Sequence, residues 1–107
     1  MPGAAAGIVK RIRVLAAKER VLFTHHAQEE MADERFSADD TLHALASGEL
    51  LENYPNHERG SCCLINGTAL DGRPIHVVCA SGLPDVVIIT VYEPKPPKWL
   101  NPRQRRR

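Results

Sequence analysis

The sequence predicts an α+β domain in which N-terminal helices pack on one face of a four-stranded antiparallel β-meander. Three observations predict it. Apolar residues at helical spacing, with capping residues between them, occupy the first half of the chain. Runs rich in β-branched residues occupy the second half. Between two of those runs stands Asp71-Gly72, a hairpin signal because a tight primed turn needs positive φ at both central residues.

Taken in order, residues 8–20 read as a first helix, with Ile8, Val9, Ile12 and Leu15 on one side and Lys10, Arg11, Arg13 and Lys18 facing away. Val21-Leu22-Phe23 is a short apolar link able to extend. Thr24 offers an N-cap oxygen to a second helix that ends near Arg35 and uses Ala27 and Met31 as its inner face. Ser37 caps a third helix, and Asp39 and Asp40 suit its positively polarised first turn. Leu42, Leu45 and Ala46 form its buried stripe, and Gly48 ends it. Strands are expected over 50–54, 61–67, 73–80 and 86–92.

These elements form one domain over residues 1–94, which suits a 107-residue chain of 43% apolar and 25% charged residues. The last fifteen positions hold four prolines and six basic residues. The tail over 95–107 is therefore expected to be flexible or draped over the surface, because proline cannot donate to a sheet ladder. A functional alternative docks Trp99 and Leu100 on the open sheet face while the arginines follow RNA phosphates.

A two-residue turn at Asp71-Gly72 pairs Leu70 with Arg73 and sets His76 opposite Gly67. Centring the next turn near Leu83 sets His76 opposite Thr90 and diagonal to Tyr92. Side chains alternate along each strand. One face then carries Leu64, Ile75, Val77, Cys79, Val87, Ile89 and Val91, and belongs against the helices. The other carries Cys63, Ile65, His76, Val78, Thr90 and Tyr92. A one-residue slip would reverse these assignments.

Composition excludes several classes. No run approaches the ~20 apolar residues of a membrane span. The basic residues follow the small-residue start, the wrong order for a secretory signal. Three cysteines without framework spacing point to reduced thiols, hence the cytoplasm. No metal site or cofactor is expected: Cys62 and Cys63 are adjacent and point to opposite faces, unlike paired zinc ligands. The formal charge of +1 gives no reason by itself to expect nucleic acid, but both ends of the chain are basic.

His76 and Tyr92 are the leading chemical pair, since an imidazole and a phenol can exchange protons with a substrate. A guanidinium from Arg35, Arg59 or Arg73 would complete a phosphodiester-cleaving site by stabilising the phosphorane. The plain alternative leaves His76 and Tyr92 as decoration of a sheet surface. His25 and His26 open the second helix about 100° apart, so at most one serves a site.

The run FTHHAQEEMADERFSADDTLHALASGELLENYP, then SCCLINGTALDGRPIHVVCA, then VVIITVYEP resembles the bacterial domain-of-unknown-function family numbered 4258. The shared pattern is a His-Ala helix start, a Met and an Arg further along it, a Ser-capped helix with an Asp and a Gly-Glu step into a strand. A Gly-Arg-x-x-His hairpin and a final Thr-x-Tyr-x-Pro complete it. The resemblance covers about residues 22–94. It implies a branch of the RelE-like and barnase-like ribonucleases, many of them toxins of toxin–antitoxin pairs. It further implies a metal-independent endoribonuclease that cleaves mRNA through the substrate's own 2′-hydroxyl, with a small zinc-finger protein as antitoxin. The matching positions are His26, Arg35, His76 and Tyr92, as acid/base and phosphate-binding candidates; Arg59, Arg73 and Thr90 are expected to contact substrate. The alternative is a non-catalytic RNA- or protein-binding module of the same fold.

Overall fold

The computed structural model describes residues 2–55, 61–80 and 84–106. His57, the candidate Arg59 and the turn placed near Leu83 lie outside these residues.

The described residues form an α+β fold. Helix α1 (Pro2–Ala17) begins six residues earlier than its apolar spacing suggests, with a proline in its first position, where no backbone N–H is needed. It ends in a paired motif: Glu19 N–H donates to Ala16 O (3.0 Å) and Arg20 N–H to Leu15 O (2.9 Å), around Glu19 at φ 56°. Helix α2 (His25–Glu34) closes in the same way, around Arg35 at φ 58°, with Phe36 N–H donating to Met31 O. Helix α3 (Ala38–Ser47) is capped by Ser37 as expected, and the cap is a full capping box: the Ser37 hydroxyl accepts from Asp40 N–H while the Asp40 carboxylate accepts from Ser37 N–H.

The expected four-stranded meander is instead a five-stranded mixed sheet. The link Val21–Phe23 is a strand, β1, and it pairs in parallel with β5 (Val86–Tyr92). Between β5 and the far edge lie β4 (Pro74–Ala80), β3 (Cys62–Thr68) and β2 (Glu49–Tyr54), all antiparallel neighbours. Three residues suffice for β1 because Thr24 takes over beyond it. Its N–H donates to Ile88 O, and its hydroxyl donates to Ile89 O while accepting from Ala27 N–H. One side chain thus continues the sheet edge and starts the helix.

The β3–β4 register differs by one residue from the sequence expectation. Gly72 N–H donates to Ala69 O, Gly72 has φ 91°, and Ala69 N–H donates to Arg73 O. The loop is therefore one residue longer than a two-residue turn, and its glycine takes the left-handed position. His76 pairs with Asn66 rather than Gly67, and every β3 side chain changes face. Cys63 and Ile65 join the main core with Ile75, Val77 and Cys79, whereas Cys62 and Leu64 are buried outside it. On β5, a bulge between the Val78 and Cys79 pairings turns Val86 and Ile88 inward in place of Val87 and Ile89. His76 then faces Tyr92 directly rather than diagonally.

The tail, expected to be flexible or draped, forms a second small sheet of β6 (Trp99–Asn101) and β7 (Gln104–Arg105). Its Trp99 is only 1% exposed. No helix among the described residues is long and apolar enough to cross a membrane.

Helix α3 packs against β3 at two glycines. A Cβ on Gly67 would stand 2.5 Å from Ala44 O and 2.8 Å from Ala44 Cα, both backbone atoms that cannot swing aside. Gly67→Ala should therefore lower stability by about 1–3 kcal/mol, the usual cost of forcing atoms into a packed interior. Urea denaturation checks this against Leu70→Ala, whose wild-type side chain is 63% exposed and whose midpoint should hardly move.

Candidate functional site beneath the C-terminal hairpin

The sheet face opposite α1–α3 carries the chemistry. His76 projects from β4 onto this face and is fully buried. Its Nε2 lies 2.7 Å from Pro102 O, and a carbonyl can only accept, so Nε2 carries a proton. In the neutral ring Nδ1 is then the acceptor, and the Tyr92 hydroxyl donates to it over 3.1 Å. Trp99 seals the imidazole from above, edge to face, with ring centroids 4.4 Å apart. Burial, only partly offset by the Pro102 bond and the Glu52 charge, lowers the His76 pKa below the ordinary imidazole value. Burial raises that of Tyr92, opposed by the nearby indole. The Trp99 N–H has no hydrogen-bond partner among the described residues.

A guanidinium does reach this face, but it comes from the tail. Arg105 lies over the Trp99 ring (4.6 Å to its centroid) and grips Glu52 of β2 with two bonds of 2.8 and 3.2 Å. The Tyr54 hydroxyl donates to the same carboxylate. Glu52 is held below the usual carboxylate range first by Arg105, while burial and then Glu52 raise Tyr54. Arg103 makes a matching pair with Glu49 (2.6 and 3.3 Å). A cleft of about 410 Å³ opens beside these groups, lined by Glu52, Leu100, Arg103, Gln104 and Arg105. A second cleft of about 360 Å³ lies on the α2 side of the hairpin and brings together Glu30, Thr90, Tyr92, Lys95, Lys98 and Trp99.

The other sequence candidates divide. Thr90 lines that second cleft. His26 reaches it only through Glu30: its Nε2 is 3.3 Å from Glu30 Oε1, which also accepts from Val91 N–H. Arg35 sits at the C-terminus of α2 with an exposed side chain that pairs with none of the described residues. Arg73 is spent on structure. It donates to Asp71, Glu34 O and Arg35 O, and lies 4.3 Å over Phe36. The sequence reading did not single out Glu52, Arg105 or Glu30. For Glu30 there was a signal, its place one helical turn after His26. Among the described residues no group of three His, Cys, Asp or Glu side chains could hold a metal ion.

The fold and this face define a small α+β domain whose ionisable groups gather on the sheet surface away from its helices. The family described as "Domain of unknown function (DUF4258)" matches residues 23–93, and the chain belongs to that family. No curated protein and no solved structure matches the chain.

The buried imidazole makes stability depend on pH. Its folded pKa lies below the unfolded one, so the unfolded chain binds the proton first as pH falls. The contribution is complete above the unfolded value of about 6.5 and shrinks as pH drops through the interval below it. Glu52, Arg105 and Tyr92 are the ionisable groups facing the ring, and none of them changes charge between pH 7.5 and 5.5. The stability gap between wild type and His76→Gln, which keeps an amide donor for Pro102, should therefore narrow from pH 7.5 to 5.5. Urea midpoints at the two pH values measure it; an unchanged gap would mean that the imidazole is not buried as described.

Proposed function

We propose that this protein is the toxin of a bacterial type II toxin–antitoxin pair, a cytoplasmic, metal-independent endoribonuclease of the RelE-like kind acting on mRNA. The observation that carries this reading is the set of groups on one sheet face: the Glu52 carboxylate, the His76 imidazole, the Tyr92 phenol and the Arg105 guanidinium. Cleavage by the 2′-hydroxyl needs a base to take its proton as O2′ bonds to phosphorus. It also needs an acid to protonate the departing O5′, and a cation to hold the charged phosphorane. Glu52 suits the base, because its pKa lies low enough to leave it ionised at neutral pH. His76, oriented by Tyr92, suits the proton donor once the indole no longer covers it. Arg105 offers two N–H groups to phosphate oxygens. The partner in this reading is a small zinc-finger antitoxin.

The burial of His76, with both ring nitrogens engaged, favours a second reading, a non-catalytic RNA- or protein-binding module. A single assay separates the two. The protein is incubated in excess EDTA with end-labelled single-stranded RNA, alone and as a translated message on ribosomes. Cleavage leaving 2′,3′-cyclic phosphate is expected, with losses of about 10²-fold or more in Glu52→Gln and Tyr92→Phe, the scale of one acid–base contribution. No cleavage on either substrate would leave the binding module standing, and full activity in both variants would move the site elsewhere.

A further inference from the structure

The C-terminal hairpin is bound to the domain differently from the five strands of the main sheet. Among the described residues it makes no backbone hydrogen bond to the five-stranded sheet. Side chains hold it: the buried Trp99, the bond from His76 to Pro102 O, and the ion pairs Arg103–Glu49 and Arg105–Glu52. It also lies beyond the family match, which ends at residue 93.

Arg103–Glu49 is open to solvent, with side-chain exposures of 71% and 46%, and Arg105–Glu52 is half-buried, at 40% and 28%. Exposed pairs of this kind contribute little and weaken as salt rises. The docked hairpin also leaves the Trp99 N–H buried without an acceptor, a penalty that lifting would relieve. Each arginine presents a two-pronged donor to a carboxylate, the same geometry that a phosphate diester accepts. Lys95 and Lys98 line the neighbouring cleft, but beside the carboxylates of Glu30, Glu34 and Glu93, so the two arginines are the phosphate-matching donors of the hairpin.

We propose that Arg103 and Arg105 form a binding site for the phosphates of a single-stranded polynucleotide, and that its occupation exchanges Glu49 and Glu52 for phosphate and lifts Trp99 from His76. The hairpin is a strap that opens to the ligand it covers. Opening would leave Glu52 unpaired and His76 uncovered, which deepens and rests on the nuclease reading above.

Trp99 is the only tryptophan in the chain, so its emission reports the strap directly. Full-length protein is titrated with poly(U), binding being followed separately by anisotropy of a labelled oligonucleotide. Emission should move to the red as poly(U) saturates, and chloride at matched ionic strength should not reproduce the shift. Inorganic polyphosphate giving the same shift assigns the site to phosphate alone; a shift with poly(U) only adds a requirement for the nucleoside. Glu49→Gln with Glu52→Gln removes the competing carboxylates, and half-maximal shift should need about 2- to 30-fold less poly(U), as loss of two weak pairs implies. The control Glu29→Gln with Asp33→Asn makes the same charge change away from the hairpin. Poly(U) that binds without moving the emission overturns the proposal, as do absent binding and equal gains in both double variants. Because nothing here is read from cleavage, an inert enzyme with a moving strap would sink the nuclease alone.

Discussion

The placement of the outer sheet face rests on the register of the β3–β4 hairpin, and that register rests on Gly72 and Arg73. With Gly72 at φ 91°, the loop takes one residue more than a primed two-residue turn. Arg73 then locks it. Its backbone carbonyl closes the ladder to Ala69, and its guanidinium ties the turn to Asp71, to the last carbonyls of α2 and to the Phe36 ring. Removing one residue from that loop would put Asn66 and Leu64 in the core and Cys63 and Ile65 outside. It would also turn Gly67 away from Ala44, where the absence of a side chain lets α3 approach. Core packing and the position of His76 therefore depend on the same few atoms.

Much of this was readable from the residues. Capping residues announced α2 and α3 because Thr24 and Ser37 supply local hydrogen bonds whose geometry needs no tertiary information. The strands of the second half were legible because β-branched alternation is also local. Register was not. It depended on the choice between a two-residue turn and a longer loop ending in a left-handed glycine, and Asp-Gly permits both. Strand β1 was visible only as an apolar link, since three residues carry no period and its pairing with β5 lies some 65 residues away in sequence. The candidate site divides along the same line. His76 and Tyr92 share a strand pair and could be brought together by counting, whereas Glu52 and Arg105 meet across 53 residues through a tail whose prolines argued against strand.

Among the described residues the tail pairs as strand only with itself, and its prolines show why. Proline is barred from a ladder only where a backbone N–H must donate, and the two short strands of the tail leave their prolines in the loop and in the approach to it. The residue that decides the outcome is Trp99, whose burial supplies what the short β6–β7 pairing lacks. Its resting place is set in turn by His76, because a neutral imidazole with Nε2 protonated is both a flat partner for the indole and a donor for Pro102 O.

In the proposed opening, one side chain would serve two arrangements with opposing requirements. Under the hairpin, His76 is a neutral structural group, and its depressed pKa, like both of its hydrogen bonds, works against proton transfer to a substrate. Away from the hairpin it would regain solvent, and with it a pKa nearer neutrality. Glu52 follows the same logic: paired with Arg105 its carboxylate is occupied, and unpaired it is available as a base. Both groups are engaged by the same short stretch, Trp99 to Arg105, with His76 against Trp99 and Pro102 and Glu52 against Arg105, so one displacement would release both at once. If the hairpin lifts as proposed, a face built in this way would be quiet by default, and its chemistry would be coupled to whatever ligand competes for the arginines.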